Sequence, residues 1–140
     1  MKQAIEFDVA LPTPNDSMNR FRRAELNARQ RAATRSALDE MGLRPTTPCR
    51  VKLVRVSGRM ADSDRAALSM AMVRDETARW IMGIPSRVPG TDKDGNPCDR
   101  VPRAPDGPND PISWEYDQQR TRQKGYQAAQ VIIESDGLAD

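Results

Sequence analysis

Two aspartates, Asp62 and Asp64, stand one residue apart in the stretch ADSDRAALSM, directly ahead of an apolar run. Carboxylate oxygens are the hard ligands that Mg²⁺ prefers, and the ion commonly takes only one or two of them from a protein. A magnesium ion held here would activate a water molecule and stabilise the charge that develops on a phosphate during hydrolysis. An isolated Asp-x-Asp pair is more often a turn followed by a helix N-cap. The pair can serve both purposes, because a residue that opens a helix can also bind a metal.

A third carboxylate would complete such a site. If the strand predicted before the pair continues past Gly58, Asp62 and Asp64 project from the same side of the chain, with their Cβ atoms roughly 6–7 Å apart. Two later aspartates, Asp106 and Asp110, flank a segment rich in proline and glycine and are the candidates for the third ligand. The sequence leaves open which of the two is used.

The chain contains no histidine and only two cysteines, Cys49 and Cys98. This composition excludes Ser-His-Asp and Cys-His catalysis and histidine-containing zinc sites. Two cysteines are too few for a disulfide framework and show no metal-ligand spacing, so we expect free thiols in a reducing cytosol. Any catalysis must therefore depend on carboxylates, lysines or a carboxylate-bound metal ion.

Positive charge is concentrated in residues 17–59, where eleven basic side chains face three acidic ones, a net charge of +8. Ten of the eleven are arginines, which bind phosphate in a bidentate manner better than lysines do. Arginine-rich helices are often merely solvated, but the asymmetry favours a polyanionic partner. The candidate DNA-binding residues are Arg20, Arg22, Arg23, Arg29, Arg31 and Arg59, with Arg65 and Arg74 after them.

Hydrophobic periodicity predicts a single α+β domain over residues 1–140, with one mixed sheet of about four strands and two main helices on one face. The last two strands are expected to pair as a hairpin, and Ser63 or Asp64 is expected to cap the second helix. Along the first helix the predicted inward stripe is Leu26, Ala33, Ala37 and Met41, and along the second it is Ala66, Met70, Val73 and Ile81. The predicted strands are 3–10, 49–57, 112–118 and 126–134; the helices are about 21–41 and 65–82; 84–110 is an irregular loop and 135–140 a frayed tail.

Four segments together resemble the phage branch of the RusA-type Holliday junction resolvases. They are LPTPNDSMNRFRRAELNARQR, ADSDRAALSMAMVRDETARWIMG, DGPNDPISWEYDQQR and YQAAQVIIE. The resemblance lies in the order and spacing of these segments and covers most of the chain outside about 84–104. It implies a homodimeric endonuclease that requires Mg²⁺, or accepts Mn²⁺, and cuts four-way DNA junctions symmetrically. It further implies a cytoplasmic protein, in the host bacterium if phage-encoded, with no small-molecule cofactor. No membrane partner is expected, because no apolar run in the sequence approaches the length of a membrane span.

The resemblance also assigns individual positions. Asp62 and Asp64 match the family's helix-opening aspartates, and Asp106 best matches the carboxylate of its acidic turn, with Asp110 as the alternative. These three carboxylates would be the catalytic and metal-binding groups. Arg74 and Asp75 match an Arg-Asp pair on the same helix, although Asp75 is expected to form an ion pair with Arg79 one turn later.

Three positions depart from the family pattern. Arg65 stands where the family has asparagine, Ala66 where it has leucine, and Ala71 where the phage branch has lysine. Arg65 or Arg74 would have to replace the lysine as the cation beside the phosphate. The alternative function is therefore a catalytically impaired relative that binds branched DNA or a protein partner without cleaving it, and a third is a small interaction module without a nucleic-acid role. The segment 84–104 is expected either to displace Asp106 or to add DNA contacts through Arg87, Lys93, Arg100 and Arg103.

Overall fold

A computed structural model describes residues 1–13, 18–105 and 110–139 of the chain. None of the helices in these ranges is long and apolar enough to cross a membrane. The predicted α+β class is confirmed: a mixed four-stranded sheet carries helices on one face, and a small second sheet lies apart from it. The elements are β1 (Lys2–Asp8), α1 (Arg20–Met41), β2 (Cys49–Ser57), α2 (Ser63–Ser69), α3 (Ala71–Ile81), β3 (Val88–Thr91), β4 (Pro97–Arg100), β5 (Ile112–Arg120) and β6 (Ala128–Glu134).

The order of strands in the main sheet is β1-β6-β2-β5. Strand β6 is antiparallel to both β1 and β2, whereas β5 runs parallel to β2. The predicted β5–β6 hairpin is therefore wrong, because β2 lies between these two strands. The physical reason is that β2 is buried on both faces, with Leu53 on the helix side and Val54 and Val56 on the other, and such a strand belongs at the centre of a sheet.

The helices cover one face of this sheet. The predicted inward residues of the second helix, Ala66, Met70, Val73 and Ile81, are all buried, as expected. That helix is divided at Met70, so the sheet carries three helices rather than two. The main core between the two layers includes Leu11, Leu38, Leu53, Met70, Val73, Val131 and Ile133.

Helix α1 begins after Asn19, whose side-chain Oδ1 accepts a hydrogen bond from the Arg22 N–H at 2.9 Å. It ends at Met41, the predicted last residue, and is followed by Gly42, where a φ of 93° suits glycine. Its buried line is only partly the predicted one: Ala37 is buried, but Gln30, Thr34 and Leu38 complete the line. The two polar residues are accommodated because Gln30 donates to the Ala10 carbonyl at 2.7 Å and Thr34 to the Gln30 carbonyl at 2.7 Å.

Two segments expected to be irregular are ordered. Within 84–110, β3 and β4 form an antiparallel ribbon, and its turn is held by Asp92, whose Oδ1 accepts the N–H groups of Asp94 and Asn96, both at 2.9 Å. The tail does not fray over residues 135–139, because the Thr46 N–H donates to the Gly137 carbonyl at 3.0 Å and Pro45 forms a β-bridge with Leu138.

A fully buried carboxylate, Glu76, joins this ribbon to the helices. Its Oε2 accepts hydrogen bonds from Arg35 Nε at 2.7 Å and from the Ser86 hydroxyl, and its Oε1 accepts one from Arg79 Nη1 at 2.9 Å. The same arginines donate to the backbone at both ends of the ribbon segment: Arg35 to the Ile84 carbonyl at 2.6 Å and Arg79 to the Pro102 carbonyl at 2.7 Å. The ribbon is thus attached through one buried ionic cluster.

Candidate nucleic-acid interface and carboxylate pair

The aspartate pair lies at the beginning of α2. Strand β2 ends at Ser57, as predicted, so the condition under which the pair would extend the strand is not met. Asp62, rather than Ser63 or Asp64, is the N-cap, with φ −60° and ψ 148°, yet its side chain makes no capping hydrogen bond. The Asp62 carboxylate is 82% exposed and lies 4.0 Å from Arg65 Nη1, and Asp64 is exposed in the first turn. Both carboxylates therefore face solvent beside the positive end of a helix dipole.

The backbone just before the pair is held by Gln118 of β5. The Gln118 side-chain amide donates to the Ala61 carbonyl at 2.8 Å and accepts the Ala61 N–H at 2.9 Å. This two-point contact fixes the residue that precedes Asp62. Gln118 was not singled out from the sequence, although its position was a signal: it continues the helix-facing series Ile112, Trp114 and Tyr116, where an amide would need a partner.

We expect Gln118→Ala to destabilise the protein by about 1–2 kcal/mol, since both Ala61 backbone groups lose their partner. Hydrogen–deuterium exchange followed by NMR should show faster exchange of the Ala61 amide, and chemical denaturation should give the loss of stability. Gln123→Ala, an exposed glutamine in the same region, is the matched control and should leave both quantities unchanged. Unaltered exchange at Ala61 in the Gln118 variant would contradict this role.

A groove of about 850 Å³ lies at this end of the main sheet, next to the aspartate pair. One rim contains Pro12, Thr13 and residues 58–62 with Arg65; the other is the β5–β6 connection, residues 121–127. Among the described residues, its charged lining comprises one carboxylate, Asp62, and five cations: Arg55, Arg59, Arg65, Arg122 and Lys124. A groove with this charge balance attracts polyanions.

Arg55 organises the groove from beneath. Its guanidinium is buried and donates to the Leu11 carbonyl through Nη2 at 3.0 Å and to the Arg59 carbonyl through Nη1 at 3.2 Å. One side chain thereby holds two separate backbone segments, residues 11 and 59, at the groove. Because it is engaged with the backbone, Arg55 serves mainly to shape the groove and to add to its positive potential.

The predicted DNA-binding arginines fall into different environments. Arg59 and Arg65 line the groove. Four further arginines are exposed on the first half of α1, and one of them, Arg23, lines a small hollow that shares Pro12 with the groove. Among them, Arg29 forms an exposed ion pair with Glu25 at 2.7 Å. The arginines of this group are Arg20, Arg22, Arg23 and Arg29.

Arg31, a predicted DNA-binding residue, is not among the exposed arginines of α1. It lies half-buried between α1 and α3, with its Nη1 3.7 Å from the Met72 sulfur. Burial, together with the positive charges of Arg79 and Arg87, lowers the pKa of Arg31. We therefore remove it from the candidate DNA contacts, since its guanidinium faces the helix interface.

Arg74 is also away from the aspartate pair. Its guanidinium lies 4.8 Å from the centroid of the Trp114 ring and 3.4 Å from Asp75 Oδ1. It lies ten residues beyond Asp64, about 15 Å along a helical path. The predicted Asp75–Arg79 pair is wrong, because Arg79 is buried and pairs with Glu76. Arg65 is thus the cation beside the pair.

Two aromatic residues of this region lie in the core or at its edge. Trp80 is buried there and Trp114 is half-buried at its edge, whereas Tyr116 is 37% exposed. Burial is nevertheless the largest influence on the pKa of the Tyr116 hydroxyl, and it raises that pKa.

In the described part of the structure, neither candidate for the third carboxylate lies beside Asp62 and Asp64. Asp106 lies outside the described residues. Asp110 lies at the opposite end of β5, where its Oδ1 accepts the Ile112 N–H at 2.9 Å. Its charge acts on Cys49 at that end of the sheet: burial of the thiol and the negative charge of Asp110 raise the pKa of Cys49 to about 11. Gln118 lies eight positions after Asp110, about 26 Å along an extended chain. Asp110 therefore does not share a metal ion with Asp62.

Within residues 1–13, 18–105 and 110–139 there is no cluster of three acidic or cysteine side chains that could enclose a metal ion. Asp62 and Asp64 nevertheless suit Mg²⁺, because the ion is commonly held by one or two carboxylates together with substrate phosphates and water. Comparison of the chain with protein-family models, with curated proteins and with solved structures finds no match.

Proposed function

We propose that this protein is a magnesium-dependent, structure-specific endodeoxyribonuclease that hydrolyses phosphodiesters in four-way or otherwise branched DNA. One observation supports this most directly: Asp62, a helix-capping residue whose carboxylate is not used for capping, lines a groove in which the other charged side chains of the described residues are all basic. A DNA backbone attracted into the groove would bring a phosphate to the carboxylate pair. Such contacts to phosphate do not depend on base sequence.

The residues at the pair have distinct roles in this proposal. Asp62 and Asp64 would hold Mg²⁺, which supplies an activated water and neutralises charge on the phosphate. Arg65, whose Nη1 lies 4.0 Å from Asp62, would contact the same phosphate. It would replace the lysine of the phage branch, whose position is occupied here by Ala71. Gln118 would keep the approach to Asp62 fixed through Ala61.

A homodimer accounts for action on both sides of a junction. Two copies related by a two-fold axis would present two carboxylate pairs to opposing strands, which matches the near two-fold symmetry of an open junction. This proposal predicts paired cuts at symmetrical positions rather than a single nick.

The test is cleavage of a synthetic four-way junction labelled on each strand in turn. We expect paired, symmetrical cuts with Mg²⁺ or Mn²⁺, none with EDTA, and no cutting of the matching linear duplex. An intact junction after prolonged incubation with both metal ions would overturn the proposal.

A second candidate function is binding of branched DNA without cleavage. It is favoured by the absence of a third carboxylate beside Asp62 in the described ranges and by Ala71, which lines a hollow between α1 and α2. In that case junction binding persists in EDTA and falls with salt, while added metal produces no cuts. Asp64→Asn would then tighten binding, because it removes repulsion between a carboxylate and the phosphates.

A further inference from the structure

The basic groove beside Asp62 also contains an aromatic side chain. Tyr126 lies near the end of the β5–β6 connection and lines the groove together with Arg122 and Lys124 of the same connection. Among the described residues that line the groove, Tyr126 is the one aromatic residue. Proteins that bind nucleic-acid strands commonly combine a positively charged groove for the phosphates with aromatic rings on which the bases stack. The groove has both of these components.

The Tyr126 ring is held from two directions. It packs against the apolar cluster of Val54, Val56 and Ala128, on the face of the sheet opposite the helices. Its hydroxyl donates a hydrogen bond to Glu6 Oε2 at 2.7 Å. That bond is the largest of the influences that raise the pKa of Tyr126 to about 12, so the hydroxyl remains a protonated donor well above neutral pH. A ring held in this way loses little conformational entropy when a ligand stacks on it.

The backbone around Tyr126 is fixed as well. Its N–H donates to the Gln123 carbonyl at 3.3 Å, and the preceding Gly125 has a positive φ of 75°, which glycine adopts without strain. The next residue, Gln127, accepts the Leu11 N–H through its side-chain oxygen at 3.0 Å. The ring is therefore positioned at the groove without the help of a ligand.

We infer that Tyr126 is a base-stacking residue: an unpaired base of DNA bound in the groove stacks on its ring, while neighbouring phosphates contact Arg122 and Lys124. The inference deepens the proposed function and rests on it for the choice of DNA as the ligand. Removing a base from its stack costs least where its pairing is already disturbed, as it is at a branch point. Stacking on an aromatic ring tolerates any base, which suits recognition of DNA structure rather than sequence.

The test measures binding to a labelled four-way junction in EDTA by fluorescence anisotropy, so that cleavage plays no part. Tyr126→Leu should weaken binding at least about fivefold, which is the lower end of the effect of losing one base–aromatic stack. Tyr126→Phe keeps the ring and should bind within about twofold of the wild type. Neither change should alter the slope of log K against log[salt], because no contact between a cation and a phosphate is lost. The matched control is Tyr116→Leu, which replaces the other tyrosine of the chain, lies outside the lining of the groove and should leave binding unchanged.

A second measurement uses the wild-type protein and does not depend on the folding of a variant. The junction then carries one unpaired 2-aminopurine at the branch point, whose fluorescence is quenched when the base stacks. Saturation with the wild type or with Tyr126→Phe should quench this fluorescence, whereas saturation with Tyr126→Leu should not.

Wild-type affinity of the Tyr126→Leu variant, with wild-type circular dichroism, would overturn the inference. Equal losses of affinity in the Phe and Leu variants would do the same, because they would assign the effect to the hydroxyl rather than the ring, and so would undiminished 2-aminopurine fluorescence in the wild-type complex. Any of these results combined with metal-dependent junction cleavage would leave the proposed function intact. Conversely, the expected loss of binding and of quenching without any cleavage by the wild type would support the inference and overturn the nuclease.

Discussion

Replacing Glu76 by alanine is expected to lower the free energy of unfolding by about 3–5 kcal/mol. The carboxylate is fully buried between α1, α3 and the start of the ribbon segment, and it is the counter-charge of both Arg35 and Arg79. Its removal leaves two largely buried guanidinium groups without an anion, which costs far more than the same change at a solvent-exposed pair. Chemical denaturation followed by circular dichroism would measure the difference.

Glu25→Ala is the matched control, because it breaks the exposed Glu25–Arg29 pair and should change stability by no more than about 0.5 kcal/mol. Limited proteolysis should also show earlier cleavage within residues 84–104 in the Glu76 variant, since the cluster anchors both ends of that segment. Equal free energies of unfolding for the Glu76 and Glu25 variants would show that the buried cluster contributes no more stability than the exposed pair.

Lowering the pH should also show that stability depends on the charged Glu76 carboxylate. Burial by itself raises the pKa of Glu76, but hydrogen bonds from Ser86, Arg35 and Arg79 outweigh it and leave the pKa below the ordinary value of 4.5. A carboxylate with a lowered folded-state pKa contributes stability above its unfolded pKa and loses it as the pH falls through the folded value. Below about pH 4.5 the wild type should therefore lose stability faster than Glu76→Gln, which cannot titrate at this position.

Local patterns in the sequence predicted the elements well because each pattern has a local cause. The bounds of β2 match the predicted strand residue for residue. Its alternation of apolar and basic side chains and the glycine that follows it both determine the backbone conformation within a few residues. The end of α1 at Gly42 follows from one backbone conformation. Glu76 could have been found in the same way, because it lies on the buried stripe of α3 between Val73 and Trp80.

Strand order could not be predicted, because it depends on which strand needs burial on both faces. The hairpin expectation treated β5 and β6 as neighbours in space because they are neighbours in sequence. Once β2 is placed between them, their connection must cross the end of β2, and Arg122 and Lys124 come to line the same groove as Asp62. The same parallel arrangement carries Asp110 to the far end of the sheet. Asp62 and Asp64 could thus be singled out from the sequence, but the connection that lines the same groove as Asp62 could not be placed.

Asp64→Asn is expected to reduce metal-dependent junction cleavage by about a hundredfold or more, because losing a carboxylate that holds the metal removes several kcal/mol of transition-state stabilisation. The substitution keeps the size and shape of the side chain. Asp64 is exposed in the first turn of α2, so the loss of its interaction with the helix dipole should cost no more than about 1 kcal/mol of stability. Asp62→Asn should have the same effect on cleavage, since its carboxylate makes no capping hydrogen bond that would give it a structural role instead.

Asp99→Asn supplies the matched control, because it removes one exposed carboxylate from β4, in the small second sheet. Cleavage by this variant should equal that of the wild type, and junction binding in EDTA should be unchanged. The Asp62 and Asp64 variants should bind the junction in EDTA as tightly as the wild type or more tightly, because each loses a negative charge beside the phosphates. If Asp64→Asn and Asp99→Asn cleave equally well, the carboxylate pair is not the metal site. If only the Asp62 and Asp64 variants lose cleavage while retaining binding, the pair acts in the chemical step, and the basic groove supplies the affinity on its own.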